Sequence, residues 1–82
     1  MERTEFNNLL AECATATETY VREAEKTSVM LRKCTRHPLT FDERFGLLCQ
    51  EILERDAFLI YLDAKRFLHS AALLGYEALS MN

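Results

Sequence analysis

Two histidines, three cysteines and thirteen carboxylates are the side chains on which any chemistry of this chain would rest. A carboxylate-bridged di-iron centre built on helices needs Glu-x-x-His, because residues three apart share a helix face. His69 has Arg66 three positions before it and His37 adjoins Pro38, so that pattern is not met. A Cys–His nucleophile needs a base oriented by a third group, and no such group or pocket-forming loop is evident. Cys13, Cys34 and Cys49 have neither C-x-x-C spacing nor an even count, which excludes a zinc signature and a disulfide framework. Each lies on an apolar helical stripe and is expected to act as a small buried hydrophobe. Gly46 and Gly75 are isolated, so no glycine-rich phosphate loop exists. Asp56, Asp63, Ser70 and Glu77 recur every seven residues on one helix face. They read as a solvated seam, or one salt-bridging to Arg22 or Arg3, rather than a metal ladder. The expectation is a non-enzymatic protein with no catalytic residue, metal or cofactor.

The elements that carry these residues are helices. The chain has 82 residues, 49% hydrophobic and 28% charged, which makes residues 1–82 a single domain with too much apolar content for a disordered tail. Two glycines and one proline leave little punctuation for strands and turns. A net charge of -3 argues against a nucleic-acid binder held by electrostatics. The N-terminus lacks the basic and apolar regions of a signal peptide, and the longest apolar runs, such as 57–62, are too short to span a bilayer. A soluble, cytoplasmic protein is therefore expected.

The strongest helix signal starts at Thr40. Thr40-Phe41-Asp42-Glu43 fits a capping box, in which the Thr40 hydroxyl and the Glu43 carboxylate each satisfy the other residue's backbone N–H. Pro38 upstream biases His37 away from helical geometry, and Asp42 and Glu43 place negative charge at the positive end of the helix dipole. From there a helix over about 41–79 shows two apolar stripes. Phe41, Phe45, Leu48, Ile52, Leu59 and Leu62 form one, and Leu53, Ala57, Ile60, Ala64, Phe67, Ala71 and Leu74 the other. Phe58, Tyr61, Leu68, Ala72, Tyr76 and Leu79 widen the arc in the second half. One neighbour needs an apolar face only somewhat wider than about 100°. This helix exceeds that.

A first helix over about 4–34 carries Phe6, Leu10, Cys13, Thr17, Tyr20, Ala24, Thr27, Leu31 and Cys34 at alternating four- and three-residue spacing. Its threonine-rich stretch 14–19 is its weakest point, since threonine lowers helix propensity. Glu18 and Arg22 are spaced for a favourable pair. A connection at 35–40 this short implies antiparallel neighbours. The fold class is thus all-α, an antiparallel two-helix hairpin completing its core with a partner chain. It should form a rod roughly 45–55 Å long at 1.5 Å per residue. Leu31 should lie near Phe45, Thr27 near Leu48, Cys13 near Leu62 and Phe6 near His69, with no two cysteines level. Leu10, Tyr20, Leu31, Phe45, Leu48, Ile52, Ile60 and Phe67 are expected among the most buried residues. Ile60, Phe67, Ala71 and Leu74 are assigned to the side covered by the first helix. Phe58, Tyr61, Leu68, Ala72, Tyr76 and Leu79 are left as the partner-binding arc, at the spacing a helix uses to fill a groove.

Over Glu51 to Leu73 the chain has an apolar run ending Ile60-Tyr61, then Arg66-Phe67 and His69-Ser70-Ala71 ahead of a short tail. This stretch resembles the second helix of the small co-chaperones of type III secretion needle subunits. The resemblance implies a cytoplasmic hairpin that pairs with a helical-repeat chaperone, the pair holding the needle subunit soluble and monomeric until export. It implies no catalysis. The alternative is a homodimer, two hairpins forming a four-helix bundle as a structural or regulatory module.

Overall fold

The computed structural model describes the backbone of residues 3–80 and the side chains of residues 3–75. Two helices account for nearly all of it, α1 (Arg3–Cys34) and α2 (Phe41–Ser80), packed side by side as an antiparallel hairpin. Both ends of the turn follow from local chemistry. At the start of α2 the capping box is formed as the sequence predicts. The Glu43 N–H donates to Thr40 Oγ1 at 3.2 Å and the Thr40 N–H to Glu43 Oε1 at 3.1 Å. At the end of α1 the Thr35 hydroxyl donates to the Arg32 carbonyl at 2.7 Å, and the Thr35 and Arg36 N–H groups close short turns onto Arg32 and Lys33. These bonds use up carbonyls that a helix end otherwise leaves unpaired, without a left-handed glycine.

The threonine-rich stretch does not break α1. Thr17 and Thr19 donate their hydroxyls to the carbonyls four residues back, Cys13 and Thr15, at 2.7 and 3.0 Å. Each hydroxyl is satisfied within the helix, so it does not compete for another backbone conformation.

The two helices meet along seams with alternating three- and four-residue spacing. On α1 the least exposed side chains are Phe6, Leu9, Cys13, Ala16, Tyr20, Glu23, Thr27, Met30 and Cys34. On α2 they are Leu47, Gln50, Glu54, Ala57, Tyr61, Ala64, Leu68 and Ala71. This is the mean period of 3.5 that keeps one face of a helix against its neighbour over many turns. Among the described residues the buried apolar side chains are Ala16, Ala57 and Ala71, all alanines. Gly46 continues this at the turn end, where Met30 Cε sits 3.8 Å from where a Cβ would be. Small residues at a helix contact let the backbones approach closely.

That choice of seam corrects several expectations. Leu10, Leu31, Phe45, Leu48, Ile52, Ile60 and Phe67 are all exposed, and of the residues expected to be most buried only Tyr20 lies on the seam. The register is close to the expected one, since Gln50 reaches Glu23 and Gly46 lies level with Met30. On α1 the sequence stripe holds at Phe6, Cys13, Thr17, Tyr20, Ala24, Thr27 and Cys34, and fails at Leu10 and Leu31. At those two levels the helix turns slightly, so that Leu9 and Met30 are more covered than Leu10 and Leu31. Cys49 is exposed rather than buried, while Cys13 and Cys34 are half-buried, and all three thiols are free. The rod is 64 Å long, beyond the expected length, because the 40-residue α2 outruns the 32-residue α1.

The reciprocal cap at Thr40 should be measurable. Thr40→Ala removes the acceptor for the Glu43 N–H and is expected to lower stability by about 0.5–2 kcal/mol, seen as a lower urea midpoint at unchanged slope. A wild-type midpoint would show that α2 does not depend on this cap.

Candidate functional site

The inner seam carries the molecule's principal polar chemistry. Gln50, 9% exposed, donates from Nε2 to the Glu23 carbonyl at 3.1 Å and to Glu23 Oε2 at 2.8 Å. Among the described residues these are the hydrogen bonds that cross from one helix to the other. The remaining Glu23 oxygen, Oε1, accepts from Lys26 Nζ at 3.1 Å, and the buried Thr27 hydroxyl donates to the Glu23 carbonyl at 3.1 Å. No buried side-chain nitrogen or oxygen among the described residues lacks a partner. The hydrogen bonds from Gln50 and then Lys26 hold the Glu23 carboxyl below its ordinary 4.5. This set is a satisfied polar clamp. Its buried polar atoms are committed to one another, and Lys26 at its edge keeps 56% of its side chain in solvent.

One turn further from the hairpin tip, Tyr20 packs against Phe58 and Tyr61 at ring-centroid distances of 5.3 and 5.5 Å, and those two rings lie 6.2 Å from each other. Lys65 Nζ lies 5.4 Å from the centre of the Tyr61 ring. The residues assigned to the partner-binding arc therefore divide. Tyr61 and Leu68 lie on the seam with α1, and Phe58 packs on Tyr20, so these three serve the hairpin itself. Ala72 is exposed. The side chains of Tyr76 and Leu79 lie outside the described residues. Conversely, Ile60, Phe67 and Leu74, assigned to the side covered by α1, are 63%, 68% and 62% exposed, and only Ala71 of that set is buried. The choice of face is corrected: α2 is rotated so that Ala57, Ala64 and Ala71 meet α1 together with Leu47, Tyr61 and Leu68, and Ile60, Phe67 and Leu74 stand outside.

Two uncovered stripes result. An outer one, on the side of α2 away from α1, holds Phe41, Phe45, Leu48, Ile52, Leu59 and Leu73, all exposed, with Phe41 at 80%. A flanking one, beside the seam, holds Leu53, Ile60, Phe67 and Leu74 at seven-residue spacing. Exposed Cys49, Asp56, Asp63 and Ser70 separate them, and Asp56 pairs loosely with Arg55 at 4.0 Å rather than with Arg22 or Arg3. Nor is the expected Glu18–Arg22 pair formed; the other ion pair among the described residues is Lys26–Glu23. The total surface is 6691 Å², whereas a compact monomer of this mass exposes about 5,000 Å². Contiguous apolar surface of this kind marks an interaction site. Sequence reasoning found the excess apolar width but not its location, although Ala57, Ala64 and Ala71 at seven-residue spacing signalled the tight face.

Among the described residues no group of three or more His, Cys, Asp or Glu side chains is placed to hold a metal ion, and no helix is long and apolar enough to cross a membrane. Comparison with protein-family models, with curated proteins and with solved structures gives no match.

The carboxylates set an acid-side dependence. Glu43 is held below 4.5 by the Thr40 N–H and hydroxyl, as Glu23 is by Gln50 and Lys26. A carboxyl whose folded value lies below its unfolded one adds stability that is full above the unfolded value. That stability is lost as pH falls through the folded value. Helicity should therefore hold from neutral pH to about 5 and decline below about 4.5. Glu23→Gln should make that decline shallower in a circular-dichroism titration. An identical acid limb in the variant would show that Glu23 does not contribute to it.

Proposed function

We propose that the chain is a non-enzymatic, protein-binding co-chaperone whose working surface is the outer stripe of α2. The observation that carries this is the inverted placement of size. The buried apolar residues at the contact between the helices are alanines, while most of the phenylalanines, leucines and isoleucines of α2 stand outside it. A hairpin of this kind is stabilised chiefly when another helical surface covers those side chains, and its own solubility in turn depends on that cover. The resemblance of Glu51 to Leu73 to needle-subunit co-chaperones supports the specific form of the reading. In that form the chain works in the cytoplasm of a cell with a type III secretion system. It pairs with a helical-repeat chaperone, and the pair keeps a needle subunit soluble and monomeric. Phe41 and Phe45, at the start of α2, are suited as aromatic anchors for a groove.

Two variants separate the partner surface from the hairpin's own contact. Phe45→Asp with Leu59→Asp should keep the helical signal of the wild type, because both residues face away from α1, but should no longer recover a helical-repeat chaperone and a small needle-like subunit from the native cell. Leu68→Asp, on the seam, should lower stability by about 1–3 kcal/mol through burial of a charge and lost packing. Recovery of both partners by the Phe45 and Leu59 double variant would overturn the assignment of the outer stripe. Failure of the wild type to recover either partner would overturn the co-chaperone reading.

A further inference from the structure

The flanking stripe of α2 calls for a different occupant. Ile60 lines an apolar cleft of about 420 Å³ together with Ala57 on α2 and Ala11, Glu12, Thr15, Ala16 and Thr19 on α1. A second, shallower cleft on the same side of the hairpin brings Lys26 beside Met30 and Gln50. The third, at the tip, brings Lys33 beside Gly46. One broad face of the hairpin thus shows a row of α1 residues spaced by seven, Glu5, Glu12, Thr19, Lys26 and Lys33, running beside the α2 row Gly46, Leu53, Ile60, Phe67 and Leu74.

Both rows are self-complementary when reversed. Turned end for end about Thr19, the α1 row sets Glu12 against Lys26 and Glu5 against Lys33. Reversed about Ile60, the α2 row sets Leu53 against Phe67 and the side-chain-free Gly46 against Leu74. The two centres of reversal are level in the fold, since Thr19 and Ile60 line the same cleft. One two-fold axis passing by both residues therefore satisfies both rows at once.

We infer that this face binds a second copy of the chain, face to face and antiparallel, with α1 on α1 and α2 on α2. The α2 rows form the apolar half of the contact and the α1 rows the ion-paired half. A two-fold contact of this type requires one surface to complement itself, which the two rows do. The surface exposed beyond that of a compact monomer is ample for the roughly 800 Å² per chain that a stable contact covers. Glu12 and Lys33 are exposed, and Lys26, which bonds Glu23 at 3.1 Å, keeps 56% of its side chain in solvent, within reach of a carboxylate on the second copy. Asp56 and Asp63 edge the contact on its outer side, where they stay in water and Arg55 sits beside Asp56. The outer stripe of α2 remains uncovered, so this inference stands apart from the co-chaperone reading.

Charge exchange tests the geometry on exposed side chains. In sedimentation equilibrium the purified full-length chain should be a dimer. Glu12→Lys alone and Lys26→Glu alone should each weaken it about tenfold or more, because each variant sets like charges together twice across the axis. An equimolar mixture of the two variants restores opposite charges at both places and should return the wild-type affinity. Ile60→Arg should give a monomer, while Leu59→Arg, on the outer stripe, should leave the dimer intact. A wild type that stays monomeric to about 1 mM would overturn the inference. So would a dimer indifferent to both charge variants, or a weakened dimer that mixing does not restore. If Ile60→Arg loses helicity, the charge exchange still decides.

Discussion

The close approach of two helices across a seam of small side chains is the constraint from which the other features follow. Ala16, Ala57 and Ala71 are the buried apolar residues among those described, and each contributes only a methyl group. Helices meeting through such residues come nearer than the larger spacing that leucine or phenylalanine requires. The gain is contact along the backbone and short hydrogen bonds across the seam. The cost is that little apolar area is covered, so the large side chains of α2 must find another place. Most of them stand outward and are exposed.

A seam of alanines also specifies register weakly, because sliding one helix by a turn replaces one methyl contact with another of similar size. Two features fix the register here. The Gln50 amide reaches both the carbonyl and the carboxylate of Glu23, and a slide would break both bonds and leave a buried amide unpaired. The Tyr20 ring packs against the adjoining Phe58 and Tyr61 rings, and a slide by one turn would part it from both. A buried polar group that selects one alignment at some cost in stability is a known device in helical pairs. In this hairpin it acts on a contact that methyl groups alone would leave free to slide.

This explains why the sequence revealed the ends of the helices and not their faces. The start of α2 is written in four adjacent residues, and its hydrogen bonds form among those same residues, so no distant information is needed. The turn follows from Pro38 and from the shift in charge around it. Which side of α2 meets α1 is a different kind of question. Large apolar residues occur on most sides of α2, so hydrophobicity does not choose among them. Size does, through the fit between Thr- and Ala-rich stretches of α1 and the alanines of α2. Weighting apolar bulk put Ile60, Phe67 and Leu74 inward and left Tyr61 and Leu68 for a partner, the reverse of what is found. Reading Ala57, Ala64 and Ala71 as a row of close-approach positions gives the observed face.

Rotating α2 by about 50° to bring Ile60 and Phe67 inward would not improve the monomer. Their bulk against Ala16 and Thr27 would push the helices apart by about 2 Å, toward the spacing that large side chains need. The widened gap would strip the alanines of their contacts and carry Gln50 away from Glu23. The apolar area gained on one flank would be lost along the whole seam, and a buried carbonyl would lose its cross-helix donor. The observed rotation keeps every buried side-chain nitrogen and oxygen among the described residues paired and accepts exposed apolar surface instead. How much apolar surface α2 leaves exposed is therefore set by how small the alanines between the two helices are.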